Sequence, residues 1–235
     1  MSNFFSQEES LSMSHLIITA GPTFEPLDQV RRLTNHSTGK LGTELATFMA
    51  SRGFGVTLLR GELATFPPPK ENIKVVPFTT TETLADSFRA LADHPAEAIF
   101  HCAAVSDFRF GKIHPRTSDT ATNPAQPGKW TTNSGTLMAE LVPTTKILPQ
   151  LRPLFPQAKI VGWKYEVDGH RESAIQKGRQ QIETNHTDAC VVNGPGYGSG
   201  FELLAMENQS KHLESASELY SALLRLIEPL SGSQR

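Results

Sequence analysis

The sequence predicts an α/β domain with a doubly wound, mostly parallel, Rossmann-like sheet flanked by helices, and a long flap or arm. Three observations predict it. Short β-rich apolar runs recur along the chain, amphipathic stretches of helical period separate them, and the run from Phe108 to about Gly135 has neither pattern. Strands that alternate with helices form parallel sheets with helices on both faces.

The first predicted strand is HLIITAG (15–21), which stops at a glycine. GVTLLRG (55–61), IKVVPF (73–78), AEAIFHCAAV (96–105), AKIVGWK (158–164) and DACVVNG (188–194) follow. Each has the length of a buried strand and ends near Gly, Pro or a polar turn. In 38–52, Leu41, Leu45, Phe48 and Met49 form one apolar helical stripe. Leu84, Ala85, Phe88 and Leu91 repeat the pattern from Thr81 to Ala92. Further helices are predicted over 143–152, 169–184 and 215–230. FPPPKEN (66–72) reads as an extended connector. The Thr-, Pro-, Gly-, Ser- and Asn-rich run after Phe108 reads as a lid or an extension toward a partner subunit, because such long aperiodic segments in compact domains are usually functional.

Residues 1–14 read as a mobile tail, and 15–230 as a single domain; the closing SGSQR reads as a second tail. A net charge of −2 gives no long-range attraction to nucleic acid or an anionic membrane. No apolar run reaches the roughly 18–20 residues needed to cross a bilayer. The opening segment carries Glu8 and Glu9 and lacks the basic and apolar regions of a secretory leader. A cytoplasmic protein is expected, with Cys102 and Cys190 as inert core thiols.

In an open parallel sheet, ligands bind beyond the carboxyl ends of the strands. After the first strand comes GPTFEPLDQVRRLTNHSTGKLG (21–42), which ends in Asn-His-Ser-Thr-Gly-Lys where a helix opens. Ser37 or Thr38 can cap that helix, Gly39 permits close approach to the backbone, and the free N–H groups suit phosphate or carboxylate. A plain capped helix has the same signature. The loop is not a Walker A motif, since Thr34 stands at the first glycine position and Leu41 follows Lys40. Nor is it a dinucleotide fingerprint, since Pro22 and Thr23 follow Gly21. Asp107 lies just past another strand, where it can hold a metal on phosphates or bond a ribose; a solvated turn aspartate is an equal reading. His36, His101 and His114 lack zinc spacing, and no Gly-x-Ser-x-Gly elbow is present.

ITAGPTFEPLDQVRRLTNHSTGKLG (18–42) closely resembles the opening block of the synthetase half of the pantothenate-metabolism flavoproteins, the phosphopantothenoylcysteine synthetases. CAAVSDFR (102–109), VGWKYE (161–166) and DACVVN (188–193) are similar to later blocks, in the same order. Trp163 replaces the usual phenylalanine. The resemblance implies a ligase of coenzyme A biosynthesis that joins 4′-phosphopantothenate to L-cysteine through an acyl-nucleotidylate. CTP or ATP is consumed with Mg²⁺, and no flavin is implied. It also implies a homodimer and a separate decarboxylase acting next.

Carried over by position, Asn35 and Lys129 are the expected catalytic residues. Asn35 holds the acyl-nucleotidylate, and Lys129 meets the charged α-phosphate. Arg31, Asn35, Ser37, Thr38 and Gly39 are expected on the phosphopantothenate side. His101, Cys102, Ala103, Asp107, Lys129, Lys146, Trp163 and Lys177 are expected on the nucleotide, with Asp107 also a candidate metal ligand. A buried core tryptophan and an exposed helix lysine are the plain readings of Trp163 and Lys177. The family's K-x-K-K cluster is thinned here to Lys129-Trp130-Thr131-Thr132, and Gln181 stands where a further lysine is expected. Lys112, Lys146 and Lys164 are candidate substitutes. The thinned set motivates the alternative of a nucleotide- or phosphopantothenate-binding module that has lost ligation.

Overall fold

The computed structural model describes residues 14–70, 73–116, 128–206 and 209–228. Residues 1–13 of the tail expected over 1–14, the SGSQR tail together with residues 229–230 before it, the end of the proline connector at 71–72, and 117–127 of the flap lie outside the described residues.

In chain order the elements are β1 (His15–Ala20), β2 (Phe24–Pro26), β3 (Arg32–Thr34), α1 (Lys40–Ser51), β4 (Gly55–Gly61), β5 (Lys74–Phe78), α2 (Thr81–Leu91), β6 (Ala98–His101), β7 (Phe108–Pro115), β8 (Leu137–Pro143), α3 (Leu148–Leu154), β9 (Lys159–Tyr165), α4 (Arg171–Asn185), β10 (Ala189–Gly194), β11 (Gly198–Ala205), β12 (Ser210–Leu213) and α5 (Ala216–Ile227). The main sheet runs β12-β11-β10-β9-β6-β1-β4-β5. From β10 to β5 all neighbours pair in parallel, and β11 and β12 add an antiparallel edge. β2–β3 and β7–β8 form two small antiparallel hairpins outside it.

Alternation along the strands divides the core. Leu16, Ile18, Val56, Leu58, Phe100, Val161 and Val191 face α1 and α5, joined by Leu45, Met49, Leu219 and Leu223. Ile17, Leu59, Ile99 and Ile160 face the other way, onto Leu84, Phe88, Leu151 and Phe155 of the α2–α3 side. Cys190, Val192 and Leu204 pack with Ala174 and Ile182 of α4. Side chains of a strand alternate between faces, so continuous apolar runs here mean burial on both sides.

Several boundaries move. The run 96–105 is a strand only through His101, because residues beyond it turn away to pair with the loop after β1, through the bridge Pro22–Ala104. The helix predicted over 143–152 begins at Leu148, and Pro143 instead ends β8. The segment after Phe108 contains two paired strands, β7 and β8, of which most residues are exposed. Solvation of both faces removes the apolar alternation that would reveal such a pair. β11 and β12 were likewise not predicted. Among the described residues, no helix is long and apolar enough to cross a membrane.

Candidate functional site

Because β1, β6, β9 and β10 are parallel, their carboxyl ends share one edge of the sheet, and the loops that follow them meet there. The loops after β1 and β6 are stitched together: Thr23 N–H donates to Ala104 O (3.1 Å) and Ala104 N–H to Gly21 O (3.0 Å). Ser106 N–H donates to Thr23 Oγ1 at 2.8 Å. Asn35, just past β3, donates its Nδ2 to Val105 O at 2.9 Å. The first and second sequence blocks, some seventy positions apart, thus form one surface.

The helix start differs from expectation. Neither Ser37 nor Thr38 occupies the N-cap of α1; Gly39 does, with a left-handed φ of 77°. Its missing side chain makes room for the chain itself, since a Cβ there would lie 2.9 Å from Ala64 Cβ and 3.2 Å from Gly21 Cα. Thr38 Oγ1 instead receives the Lys40 N–H at 3.2 Å. The next amides of α1 have no intrahelical acceptor and point out of the helix end, as at any helix start.

At the floor, His101 pairs with Thr19 on one side and Gly162 on the other. Its Nδ1 lies 3.1 Å from Thr19 Oγ1, which also accepts the Ala103 N–H at 2.8 Å. Burial pushes the imidazole pKa down to about 4, so the ring is neutral. Burial also pushes the Cys102 thiol up and Cys190 up to about 12. Cys190 is a buried strand thiol as expected, whereas Cys102 is half-buried and stands just past the end of β6. Trp163 and Cys102 pack against the α1–α5 side of the core. Trp163 Nε1 is buried and has no acceptor among the described residues.

Three charged clusters rim this floor. Asp107 pairs with Lys146, both exposed, and its carbonyl receives the Thr144 N–H at 2.9 Å. Lys177 and Lys164 both contact Glu166, one residue beyond β9. Burial opposes ionisation of Glu166, but the hydrogen bonds from the two lysines outweigh it and hold the carboxyl below its ordinary range. Arg31 pairs with Asp28 and donates to Trp130 O at 2.7 Å, which brings Arg31 beside the segment carrying Lys129.

The structure therefore joins Arg31 with the Lys129 segment, Asn35 with the loop leading to Asp107 and Lys146, and His101 with Ala103. Lys177 binds a carboxylate that sequence reasoning did not single out, and Gln181 donates to Cys190 Sγ at 3.3 Å. Thr19, Asp28 and Glu166 were also missed. Asp28 carried a usable signal, since an aspartate that bonds the amides two and three residues on is a turn former. No group of three His, Cys, Asp or Glu among the described residues could hold a metal. A Mg²⁺ brought by a triphosphate needs only one or two protein carboxylates. Asp107 fits that role, in competition with Lys146.

A Rossmann-like sheet with a glycine-opened helix start and cations gathered at its carboxyl edge defines a protein of the nucleotide-binding α/β class. Within that class, the model for the DNA/pantothenate metabolism flavoprotein C-terminal domain matches residues 11–222. The chain belongs to that family. It is 32% identical over 186 residues to the coenzyme A biosynthesis bifunctional protein CoaBC of Thermococcus kodakarensis, covering 79% of this chain and 42% of the relative. The same figure holds over 209 residues for CoaBC of Escherichia coli K12, covering 89% and 47%. The chain thus spans less than half the length of these two relatives. In fold it is similar to the DNA/pantothenate metabolism flavoprotein from Streptococcus pneumoniae, with a TM-score of 0.80, 24% identity, and coverage of 92% of this chain and 99% of that one. A Cab2 variant in complex with phosphopantothenate-cysteine gives a TM-score of 0.68 at 19% identity, covering 91% and 85%.

Proposed function

We propose that the chain is a phosphopantothenate–cysteine ligase. The carboxylate of 4′-phosphopantothenate attacks the α-phosphorus of CTP or ATP and pyrophosphate leaves. The amine of L-cysteine then attacks the acyl carbon of the acyl-nucleotidylate, loses a proton, and the nucleoside monophosphate departs. The observation that carries this reading is the junction of Asn35 with the loop after β6, and of Arg31 with the Lys129 segment, at one end of the sheet. An acid-gripping side chain and a phosphate-seeking cation are both required there, because catalysis of this kind is positioning and charge neutralisation. The bound product in a Cab2 relative and the CoaBC names support the same substrates.

In this reading Ser37, Thr38, Gly39 and Arg31 serve the phosphopantothenate. The main chain at His101, Cys102 and Ala103, with Trp163, serves the base. Asp107 serves ribose or Mg²⁺, and Lys146 and Lys177 serve the phosphates. A homodimer belongs to the proposal, since Val30, Leu33, Phe108, Met138 and Leu141 of the two hairpins are exposed apolar residues. So do a cytoplasmic setting and a separate decarboxylase that consumes the product.

Incubation with phosphopantothenate, cysteine, Mg²⁺ and either CTP or ATP is expected to release pyrophosphate and the matching monophosphate. Lys129→Ala is expected to slow pyrophosphate release by roughly 10²–10³-fold, as for removal of one charge-stabilising donor. Asn35→Asp is expected to form the acyl-nucleotidylate but stall before ligation, which quenched-flow analysis would detect. One observation favours the alternative of a binding module without turnover: Lys146, Lys164 and Lys177 all have carboxylate partners. Calorimetric binding of nucleotide with no pyrophosphate release would establish that alternative and exclude ligation.

A further inference from the structure

The carboxylate of Asp28 is enclosed by donors. Its Oδ1 accepts the N–H groups of Val30 (2.9 Å) and Arg31 (2.8 Å). Its Oδ2 accepts Arg31 Nε at 3.0 Å, Arg31 Nη2, and the main-chain N–H of Trp130 at 3.2 Å. The side chain is fully shielded, although the turn it stands in is exposed. Arg31 Nη2 continues to Trp130 O at 2.7 Å, and Gln29 N–H donates to Gly128 O at 3.1 Å. Both neighbours of Lys129 are therefore pinned through their backbone to the turn between β2 and β3, while the Lys129 side chain stays exposed. Trp130 is only 8% exposed, which closes the contact with an apolar ring.

We propose that Asp28 is a positioning residue that clasps Gly128–Trp130 onto the β2–β3 turn and so presents Lys129 to the reacting phosphate. The catalytic half of this statement rests on the ligase reading above; the clasp itself does not. A lysine on a four-carbon stem carries large conformational freedom. Fixing the backbone on both sides of it removes much of the search that would otherwise precede phosphate contact. Arg31 acts in the clasp as a brace, using one edge of its planar fork for Asp28 and the same terminal nitrogen for the Trp130 carbonyl.

The test uses Asp28→Asn, which keeps size but loses the charge. The chain has two tryptophans, so Trp163→Phe isolates Trp130 for fluorescence, with kinetics measured in the native-tryptophan protein. Asp28→Asn is expected to shift Trp130 emission to the red and open it to iodide quenching. Pyrophosphate release at saturating nucleotide is expected to fall about 10- to 100-fold, the range for a misplaced catalytic group, with the nucleotide KM nearly unchanged. In the Lys129→Ala background, with phosphopantothenate saturating so that a loosened Arg31 does not limit substrate binding, the same change is expected to add nothing, because coupled residues are non-additive. Unchanged Trp130 emission, or independent multiplication of the two kinetic losses, would overturn the proposal. If Asp28→Asn does not fold, Asp28→Glu displaces the acceptors by one methylene and is expected to give a smaller shift of the same sign; no shift there overturns it equally. A wild-type protein that releases no pyrophosphate would end the ligase reading, while the emission experiment would still decide the clasp.

Discussion

At the scale of single residues, the neutral imidazole of His101 links the site floor to acid stability. Burial holds its pKa near 4, against about 6.5 for an ordinary histidine. Between those values the unfolded chain binds a proton that the folded chain does not, so stability falls as pH drops from about 6.5 toward 4. The size is about 3 kcal/mol, at about 1.4 kcal/mol per unit. His101→Gln is expected to flatten the pH dependence of the urea midpoint over that window. Glu166 works in the opposite chemical sense, as a carboxylate that occupies two lysines. Its substitution by Gln is expected to free Lys164 and Lys177 and tighten triphosphate binding several-fold, read by calorimetry. Weaker binding would mean that Glu166 holds the lysines in place for the ligand. Residue types at these positions could be read from sequence, but their pairings could not. His101 stood among the expected base-lining residues, whereas Thr19 lies 82 positions away and meets it only through strand pairing.

At the scale of elements, α1 shows how a glycine sets a helix on a sheet. A Cβ on Gly42 would lie 2.5 Å from Thr19 O and 2.9 Å from Ala20 Cβ. Gly42→Ala should improve helix propensity by about 1 kcal/mol, but pushing α1 off β1 costs more, about 1–3 kcal/mol for overpacking. A net loss of stability is expected, with a lower urea midpoint; a gain would show that α1 can shift freely. α1, α2, α4 and α5 were legible because each carries a regular apolar stripe or a clear start signal. α3 was displaced because Pro143 ends β8 and Pro149 stands in the first turn of the helix, where a proline suits a start; only Pro153 lies inside its seven residues. β7 and β8 were missed as strands because neither face is consistently buried, leaving only backbone pairing to define them.

At the scale of the whole molecule, the two tryptophans report two different kinds of order. Trp163 packs against the core on the α1–α5 side, whereas Trp130 is held by the Asp28 turn at the margin. Regions with few buried apolar contacts open at lower free energy than the core. Single-tryptophan variants are therefore expected to show Trp130 responding at lower urea than Trp163. Coincident transitions would mean that the margin unfolds only with the sheet.

The sequence by itself determined the α/β class, the six parallel strands and the family, because burial on two faces forces apolar runs and the block from 18 to 42 is long and distinctive. It also carried the candidate residues one by one. Which residues meet came from the tertiary structure alone: the loop after β1 bonds the loop after β6, Arg31 reaches Trp130 across 99 positions, and Asp28, which was not among the candidates, reaches it across 102. Such contacts depend on the parallel sheet bringing strand ends to one edge, a condition that local periodicity does not encode.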